Sequence, residues 1–282
     1  MTERIAVLGA GTMGRGIAQV CATFGLPTAL FDISSDTLSK ARASIEAGVE
    51  KGIAREKIPA TAREVVAKGL RTSGSLSEAV DGATIVIEAA PESLELKQKI
   101  FSEVAEHVAD DCLLGTNTSS LPITGLAAGV PGAERVIGLH FFNPVPAMPL
   151  VEIVRGLETA ETAVERSLAL CSVIEKKPIV VNDSPGFATS RLGVAIGLEA
   201  IRMLEAGVAS AEEIDRAMEL GYRHPMGPLR LTDLVGLDVR LAIAEHLHRE
   251  VGEQFRPPAL LRTMVRAGRL GKKSGRGFYD WS

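Results

Sequence analysis

The chain has little cysteine. Its 282 residues include three cysteines, Cys21, Cys112 and Cys171, and no two of them have the CxxC spacing of a redox or metal motif. A disulfide framework and a thiolate metal site are therefore not expected. We interpret each cysteine as a small apolar packing residue in a reducing compartment.

Long apolar runs and an excess of positive charge are also missing. No apolar stretch approaches the roughly 20 residues that a membrane-spanning helix needs. The N-terminal residues lack the pattern of a secretory signal peptide, which favours a cytoplasmic location. The 31 Lys and Arg residues against 35 Asp and Glu residues give a formal net charge of −4. This mild acidity speaks against nucleic acid or an anionic membrane as the main partner.

Short apolar runs alternate with helical segments over the first two thirds of the chain. The pattern predicts strands at Ile5–Leu8, Thr28–Phe31, Thr84–Ala90, Cys112–Thr116, Arg135–His140 and Leu150–Arg155. Helices are expected at 12–24 and 93–108, and two more within 34–69, broken near Gly52 and Pro59 and projecting as an arm. Strands that alternate with helices predict a doubly wound, mostly parallel α/β sheet.

The pattern changes near residue 184, after which the chain is helical in character almost to its end. The candidate helices are 187–206, 210–219, 228–250 and 258–267, with stops near Gly207 and Gly221. We therefore expect two domains, an α/β domain over 1–183 and an all-α domain over 184–282.

A glycine-rich turn joins the first strand to the first helix. The segment is Gly9, Ala10, Gly11, Thr12, Met13 and Gly14. In this GxGxxG pattern, Gly9 makes the tight turn, Gly11 lets a pyrophosphate approach the backbone, and Gly14 lets the helix pack on the strand. The helix N-terminus adds amide donors and a partial positive charge. The pattern and its context favour a Rossmann-type dinucleotide site.

Asp32 ends the second strand, 18 residues beyond Gly14. A carboxylate there accepts hydrogen bonds from ribose hydroxyls and repels a 2′-phosphate, so NAD is expected rather than NADP. The alternative is that the glycines only shape a turn and that Asp32 caps a helix.

His140 differs from the other four histidines by its position. His246 and His248 lie two apart on a predicted helix and face different ways, so no metal site is expected from them. His140 instead ends an apolar strand, and ligands of open α/β sheets bind at the carboxyl ends of strands. A structural role for His140 is the alternative.

Two further polar residues favour a catalytic role for His140. Ser119 lies in the segment Asn117–Ser120, which follows the preceding strand and so emerges at the same sheet edge. Glu152 lies inside an otherwise apolar strand, where a carboxylate is costly without a partner. A histidine ring is a suitable partner, and Glu152 would hold one ring nitrogen and stabilise the imidazolium. The alternative for Glu152 is a water-facing position on an edge strand.

The sequence resembles the short-chain L-3-hydroxyacyl-CoA dehydrogenases, in particular the bacterial 3-hydroxybutyryl-CoA dehydrogenases. The resemblance runs nearly end to end and is carried by GAGTMGRGIAQV, IEAAPESLELKQKIF, NTSSL, GLHFFNPVPAMPLVEIV, DSPGF, HPMGPLRLTDLVGLD and GKKSGRGFYDW. It implies oxidation of a 3-hydroxyacyl-CoA with NAD, in fatty-acid and butanoate metabolism, by a homodimer whose helical domain contributes to the substrate site and the dimer contact.

The resemblance also implies roles for single residues. His140 matches the catalytic base, Glu152 its carboxylate partner, and Ser119 a serine that binds the 3-oxygen of the substrate near the nicotinamide. The residues that match cofactor contacts are Glu92, Lys97, Asn143 and Lys273. Asn143 also borders the substrate. In the family the projecting arm helps to hold CoA; Lys51 and Arg55 lie in that arm here, and their charge would suit the 3′-phosphorylated nucleotide of CoA. A solvated helix face is the alternative for both.

One position departs from the pattern of the family. After DSPGF the family has an asparagine followed by Arg-Leu, whereas this chain has Ser190 before Arg191 and Leu192. Serine still donates and accepts a hydrogen bond, but with a shorter reach. Ser190 is therefore a candidate substrate-binding residue that differs from its relatives.

Two other functions stay open at this point. One is a dehydrogenase of a sugar acid, as in the relatives of lens λ-crystallin, which share the fold and the histidine but use no CoA. The other is a non-catalytic structural protein that keeps the fold. The set of Ser119, His140 and Glu152 favours an enzyme.

Overall fold

The computed structural model describes residues 3–281; residues 1, 2 and 282, at the outer ends of the two predicted domains, lie outside the described residues. The chain divides into two compact units, Met1–Asp183 and Ser184–Ser282. Within the described range, no helix combines the length and the apolar character that crossing a membrane requires.

The first unit is built on an eight-stranded sheet with the order β3-β2-β1-β4-β5-β6-β7-β8. Neighbouring strands pair in parallel except β6 and β7, which are antiparallel. This confirms the predicted fold class. The strands are β1 Ile5–Leu8, β2 Thr28–Phe31, β3 Leu70–Ser73, β4 Ile85–Glu88, β5 Leu113–Thr116, β6 Val136–Phe141, β7 Leu150–Arg155 and β8 Lys177–Asn182.

Helices connect these strands. They are α1 Thr12–Thr23, α2 Ser35–Ala54, α3 Ala62–Gly69, α4 Leu76–Val80, α5 Leu94–Ala105, α6 Ile123–Ala127 and α7 Glu161–Val173. Three begin at a serine whose hydroxyl accepts a backbone N–H of the first turn: Ser34 before α2, Ser75 before α4 and Ser93 before α5. Such caps satisfy amides that have no partner inside the helix.

The central strands explain why the apolar runs predicted the sheet well. Every residue of β1, β4 and β5 is buried. A parallel strand covered on both faces has a nearly continuous apolar sequence. The arm is held by a stripe on α2, formed by Leu38, Ala41, Ile45 and Val49, that joins the core of the unit.

The second unit is helical, with α8 Thr189–Glu205, α9 Ala211–Tyr222, α10 Pro228–Val235, α11 Leu237–Glu250 and α12 Ala259–Arg266. Its core is formed by buried residues of these helices, among them Leu198, Ile201, Leu229, Leu247 and Leu261. Buried Asp233 anchors the C-terminal segment, because its carboxylate accepts the backbone N–H of Phe278 and Tyr279 and the indole N–H of Trp281.

Two helix predictions in this unit are wrong in detail. The predicted helix 228–250 is interrupted at Gly236, whose φ of 104° leaves the helical region and separates α10 from α11. The stop predicted near Gly221 is one residue early, because α9 runs to Tyr222 and its C-cap, Arg223, has the left-handed conformation. By contrast, Gly207 follows α8 with a φ of 68°.

All three cysteines are buried thiols. Burial raises the pKa of Cys21 to about 12 and that of Cys112 to about 11. Such thiols stay protonated and act as small apolar groups, in keeping with the packing role expected from the sequence.

Candidate active site

The carboxyl ends of the parallel strands β1, β4, β5 and β6 meet at one edge of the sheet. The segments that leave these strands hold the glycine-rich turn, Glu92, Ser119 and Asn143. A side-chain bond joins two of the segments: the Asn117 Oδ1 accepts the backbone N–H of Phe141 at 2.8 Å. The sequence predicted this clustering correctly, because it follows from strand direction alone.

The glycine-rich turn leaves the space that the motif predicts. Gly9 has a φ of 100°, and a Cβ there would lie 2.7 Å from the Ala89 carbonyl oxygen. A Cβ on Gly14 would lie 1.7 Å from the Gly9 carbonyl oxygen, which allows the close contact between turn and helix. At Gly11, the N-cap of α1, a Cβ would meet nothing within 4 Å. The N-terminus of α1 thus faces open space, where a phosphate group fits.

A cavity of about 730 Å³ extends from this turn to the end of β2. Its lining includes Gly9, Gly11, Thr12, Met13, Asp32, Ile33, Ala90, Pro91, Leu96 and Lys99. Its size suits a cofactor. The residues predicted to bind the pyrophosphate and the ribose therefore border one space.

Two backbone N–H groups hold the Asp32 side chain in place, one on each carboxylate oxygen. One accepts the backbone N–H of Ala10 at 2.9 Å and the other accepts that of Ser34 at 2.9 Å. These bonds connect the end of β2 to the glycine-rich turn. Each carboxylate oxygen can accept more than one bond, so Asp32 keeps acceptor capacity toward the cavity.

His140 and Glu152 form a buried pair. They occupy opposite positions in the antiparallel ladder of β6 and β7, so both side chains lie on the same face of the sheet. The His140 Nδ1 lies 2.7 Å from the Glu152 Oε2. Glu152 has no exposed side-chain surface, and the imidazole is 9% exposed. The ring also packs against Phe142, with 4.4 Å between ring centroids.

This geometry bears on the alternatives for both residues. Strand β7 is an interior strand, since β8 pairs along its other side, and Glu152 does not face water. A buried carboxylate held on one nitrogen of an imidazole orients the ring and stabilises its protonated form. The pair can therefore accept a proton and return it.

Glu92 organises the segment that carries Ser119. Its Oε1 accepts the Thr118 hydroxyl at 2.6 Å, the Ser119 backbone N–H at 3.1 Å and the Ser119 hydroxyl at 3.4 Å. The Ser120 hydroxyl lies 3.4 Å from the same oxygen. The Glu92 carboxylate thus holds the backbone of the segment that contains Ser119, the predicted substrate-binding serine.

Lys97 lies in a buried ion pair that the sequence analysis missed. Its ammonium donates to both oxygens of Glu88, at 2.7 and 2.8 Å, and to the Ala90 carbonyl oxygen at 3.2 Å. Neither side chain of the pair has exposed surface. Thr116 donates to Glu88 as well, at 2.7 Å. Glu88 could have indicated this ion pair in the sequence, because a carboxylate at the end of an apolar strand needs a partner.

The arrangement of Lys97 differs from the direct cofactor contact that the resemblance implies. A side chain without exposed surface cannot contact a cofactor unless it moves. The Lys97 ammonium lies 3.6 Å from the Glu92 Oε2. Lys97 therefore contacts the neighbouring predicted site residue Glu92 and, through its ion pair and hydrogen bond, Glu88 and Ala90.

The other predicted site residues lie further along the chain. Asn143 is exposed in the loop after β6, and Lys51 and Arg55 are exposed at the end of α2. In the second unit, Ser190 is half-buried in the first turn of α8. There the Lys273 ammonium lies 2.6 Å from the Asp238 Oδ2, so this predicted cofactor contact is held in an ion pair.

Comparison with known proteins adds independent evidence. Residues 4–184 match the family model of the 3-hydroxyacyl-CoA dehydrogenase NAD binding domain, and residues 186–281 match that of the C-terminal domain. The chain is 44% identical to the 3-hydroxybutyryl-CoA dehydrogenase of Mycobacterium tuberculosis, over 99% of this chain and 98% of that protein.

The chain is also similar to an enzyme named for a different substrate and to a protein of known structure. The chain is 43% identical to the 3-hydroxyadipyl-CoA dehydrogenase of Escherichia coli, over 99% of this chain and 59% of that protein. The crystal structure of (S)-3-hydroxybutyryl-CoA dehydrogenase from Ralstonia eutropha has a TM-score of 0.96 and 42% identity, and the match covers 100% of each chain.

Proposed function

Because the chain belongs to the 3-hydroxyacyl-CoA dehydrogenase family, we propose that it oxidises the 3-hydroxyl of a (3S)-3-hydroxyacyl-CoA with NAD, reversibly, and that His140 is its general base. The family and its NAD-binding domain make the chain an NAD-dependent dehydrogenase of 3-hydroxyacyl-CoA. The choice of 3-hydroxybutyryl-CoA as the main substrate and the roles of single residues are the parts that we propose.

The observation that carries the mechanism is the buried pair of His140 and Glu152. In oxidation, the His140 Nε2 takes the proton of the 3-hydroxyl while the Nδ1 is held by the Glu152 carboxylate at 2.7 Å. Glu152 stabilises the imidazolium that forms, because burial strengthens the attraction between the opposite charges. In reduction, the imidazolium returns the proton to the forming alkoxide. Ser119 donates a hydrogen bond to the 3-oxygen and orients it.

The residues of the first unit fit NAD. The open space before Gly11 admits a pyrophosphate at the start of α1, and Asp32 offers acceptors for the ribose hydroxyls. Bound NAD supplies the acceptor for the hydride that leaves C3 of the substrate. Glu92, held by the Ser119 segment, and Asn143 border the nicotinamide end in this proposal, and Lys51 and Arg55 offer positive charge to the phosphates of CoA.

A substrate comparison tests the proposal. NADH formation is measured with (3S)-3-hydroxybutyryl-CoA, with free 3-hydroxybutyrate and with L-gulonate at equal concentrations. We expect turnover with the thioester and little with either acid. Turnover of gulonate without CoA would support the sugar-acid alternative instead. Absence of turnover with all three, by a folded protein that binds NAD, would support the structural alternative.

We also propose a homodimer formed through the second unit. Of four apolar residues of α8, Leu198 and Ile201 belong to the core, whereas Leu192 is 63% exposed and Ile196 is 38% exposed. The two residues lie four apart, on one face of α8, and this exposed apolar face is the one that we propose to be covered in the dimer. Sedimentation analysis of the wild type and of Leu192→Glu tests it: the wild type should be dimeric and the variant should dissociate at a higher concentration.

A further inference from the structure

Arg240 interrupts the apolar stripe of α11. The residues of α11 that face the core of the second unit are Leu237, Arg240, Ala244 and Leu247, spaced at three or four residues. A stripe of this spacing normally carries apolar side chains. Arg240 is 8% exposed, so most of its side chain is out of water, and its Nε is wholly buried.

The guanidinium donates to no acceptor among the described residues, and its Nε is wholly buried without a partner. The other buried basic side chains of the described chain have acceptors. Lys97 donates to Glu88, Arg135 donates to the Ala109 carbonyl oxygen at 2.6 Å, and Lys176 donates to the Val145 carbonyl oxygen at 2.6 Å. Arg240 differs from these three because its charge is left uncompensated.

An uncompensated buried charge is costly to the folded protein. Burial also lowers the pKa of Arg240 to about 10, because the charged form is the one that loses its hydration. Charged groups with perturbed pKa values cluster at functional sites. The group that would offset the cost is an anion that reaches the guanidinium from outside the chain.

Helix α8 leaves room for the head of Arg240. A Cβ on Gly193 would lie 3.1 Å from the Arg240 Nη1 and 3.7 Å from its Nη2, so the guanidinium packs closely against the bare backbone of α8 at this glycine. Gly193 lies three residues after Ser190 on α8, which places both on one face about 4.5 Å apart along the helix axis. Arg240 therefore lies within one helical turn of the predicted substrate-binding serine.

We propose that Arg240 binds a carboxylate at the far end of the acyl chain, and that the protein prefers dicarboxylic 3-hydroxyacyl-CoA substrates. This rests on the proposed function, because it needs the acyl chain to lie beside Ser190. The planar guanidinium presents paired donors that match the two oxygens of a carboxylate. A chain that ends in a methyl group would leave the guanidinium without an acceptor.

Two saturated acyl-CoA ligands of equal chain length test the preference without turnover. Adipyl-CoA ends in a carboxylate and hexanoyl-CoA ends in a methyl group. Titration calorimetry on the full chain with NAD measures both dissociation constants. A hydrogen bond to a charged group corresponds to about 10- to 100-fold in affinity. We expect adipyl-CoA to bind more tightly by about that factor.

Arg240→Met keeps an unbranched side chain that reaches about as far as the arginine Nε, and it removes the charge and the hydrogen-bond donors. We expect the variant to lose the preference for adipyl-CoA, to bind hexanoyl-CoA as well as the wild type or better, and to melt at a higher temperature. Arg249→Met, an exposed change on the same helix, is the matched control and should keep the preference. Gly193→Ala should reduce the preference as well, because its methyl group would push the guanidinium away from α8 by a few tenths of an ångström.

Two results would overturn the proposal. One is equal affinity of the wild type for both ligands. The other is an equal loss of affinity for both in Arg240→Met, which would place the anion in the CoA moiety that they share. Turnover of 3-hydroxyhexanoyl-CoA is measured in parallel. If it persists while the preference is absent, this inference fails and the proposed function stands; if no 3-hydroxyacyl-CoA is oxidised, the proposed function fails.

Discussion

His140 and Glu152 face each other directly across the antiparallel pairing of β6 and β7, with the Nδ1 and the Oε2 2.7 Å apart. Twelve residues separate them along the chain, and the register of two short strands brings them together. A backbone ladder positions side chains more firmly than a loop does. Both members of the proposed proton-transfer pair are thus held by the sheet.

Glu152→Gln should lower kcat and leave the affinity for NAD unchanged. The amide keeps the shape of the side chain and removes the negative charge that stabilises the imidazolium. Since oxidation requires a neutral His140, the acidic limb of the pH–rate profile should move to lower pH. The control is Glu158→Gln, an exposed change just beyond β7. An unmoved profile would argue against the pair.

Asp32 should determine the choice of cofactor. The wild type is expected to use NAD and to discriminate against NADP, because the carboxylate repels a 2′-phosphate. Asp32→Asn should reduce kcat/KM for NAD by about 10- to 100-fold, the range for lost charge-assisted bonds, and should narrow the discrimination. Asp36→Asn, exposed in the first turn of α2, is the control. Better turnover of the wild type with NADPH than with NADH would contradict this role.

Substitutions of Glu88 and Lys97 should have coupled effects on the free energy of unfolding. Lys97→Met leaves a buried carboxylate without its cation, which typically costs about 3–5 kcal/mol. Adding Glu88→Gln removes that charge, so the double variant should regain much of the stability. Chemical denaturation of the two single variants and the double variant measures the coupling. Lys68→Met, on an exposed side chain, is the control, and additive effects would contradict the pairing.

Ser190 should affect the substrate rather than the cofactor. Ser190→Asn extends the reach of the side chain, and Ser190→Ala removes its hydroxyl. A neutral hydrogen bond corresponds to about 2- to 10-fold in binding or rate. We expect kcat/KM for 3-hydroxybutyryl-CoA to change in opposite directions in the two variants, with the KM for NAD unchanged. If both variants keep the kinetics of the wild type, Ser190 does not contact the substrate.

The interior strands were predictable because burial on both faces leaves a continuous apolar sequence. The elements that the sequence analysis missed are mostly those without that signal. Strands β3 and β8 form the two edges of the sheet. In β8, Ile179 and Val180 are partly exposed, and Pro178 is tolerated at such an edge because an edge strand has unpaired positions. Helices α4 and α6 span five residues each, too few to show a period.

The candidate site was predictable where strand direction or a motif determines the position. The glycine-rich turn, Asp32 and the pairing of His140 with Glu152 are of this kind. The pairing of Lys97 with Glu88 was not, because the two residues lie nine apart along the chain and meet only when α5 packs on the sheet. The burial of Arg240 was not predictable for a similar reason, since it depends on the contact of α11 with Gly193 of α8.

The most direct test of the account is the turnover of His140→Ala with (3S)-3-hydroxybutyryl-CoA and NAD. General base catalysis typically contributes about 10²- to 10⁴-fold. His107→Ala, on an exposed histidine after α5, is the control and should keep wild-type activity. We predict that His140→Ala binds NAD normally and loses about that factor in kcat. A variant that binds NAD and keeps a kcat close to that of the wild type would contradict the assignment of His140 as the base.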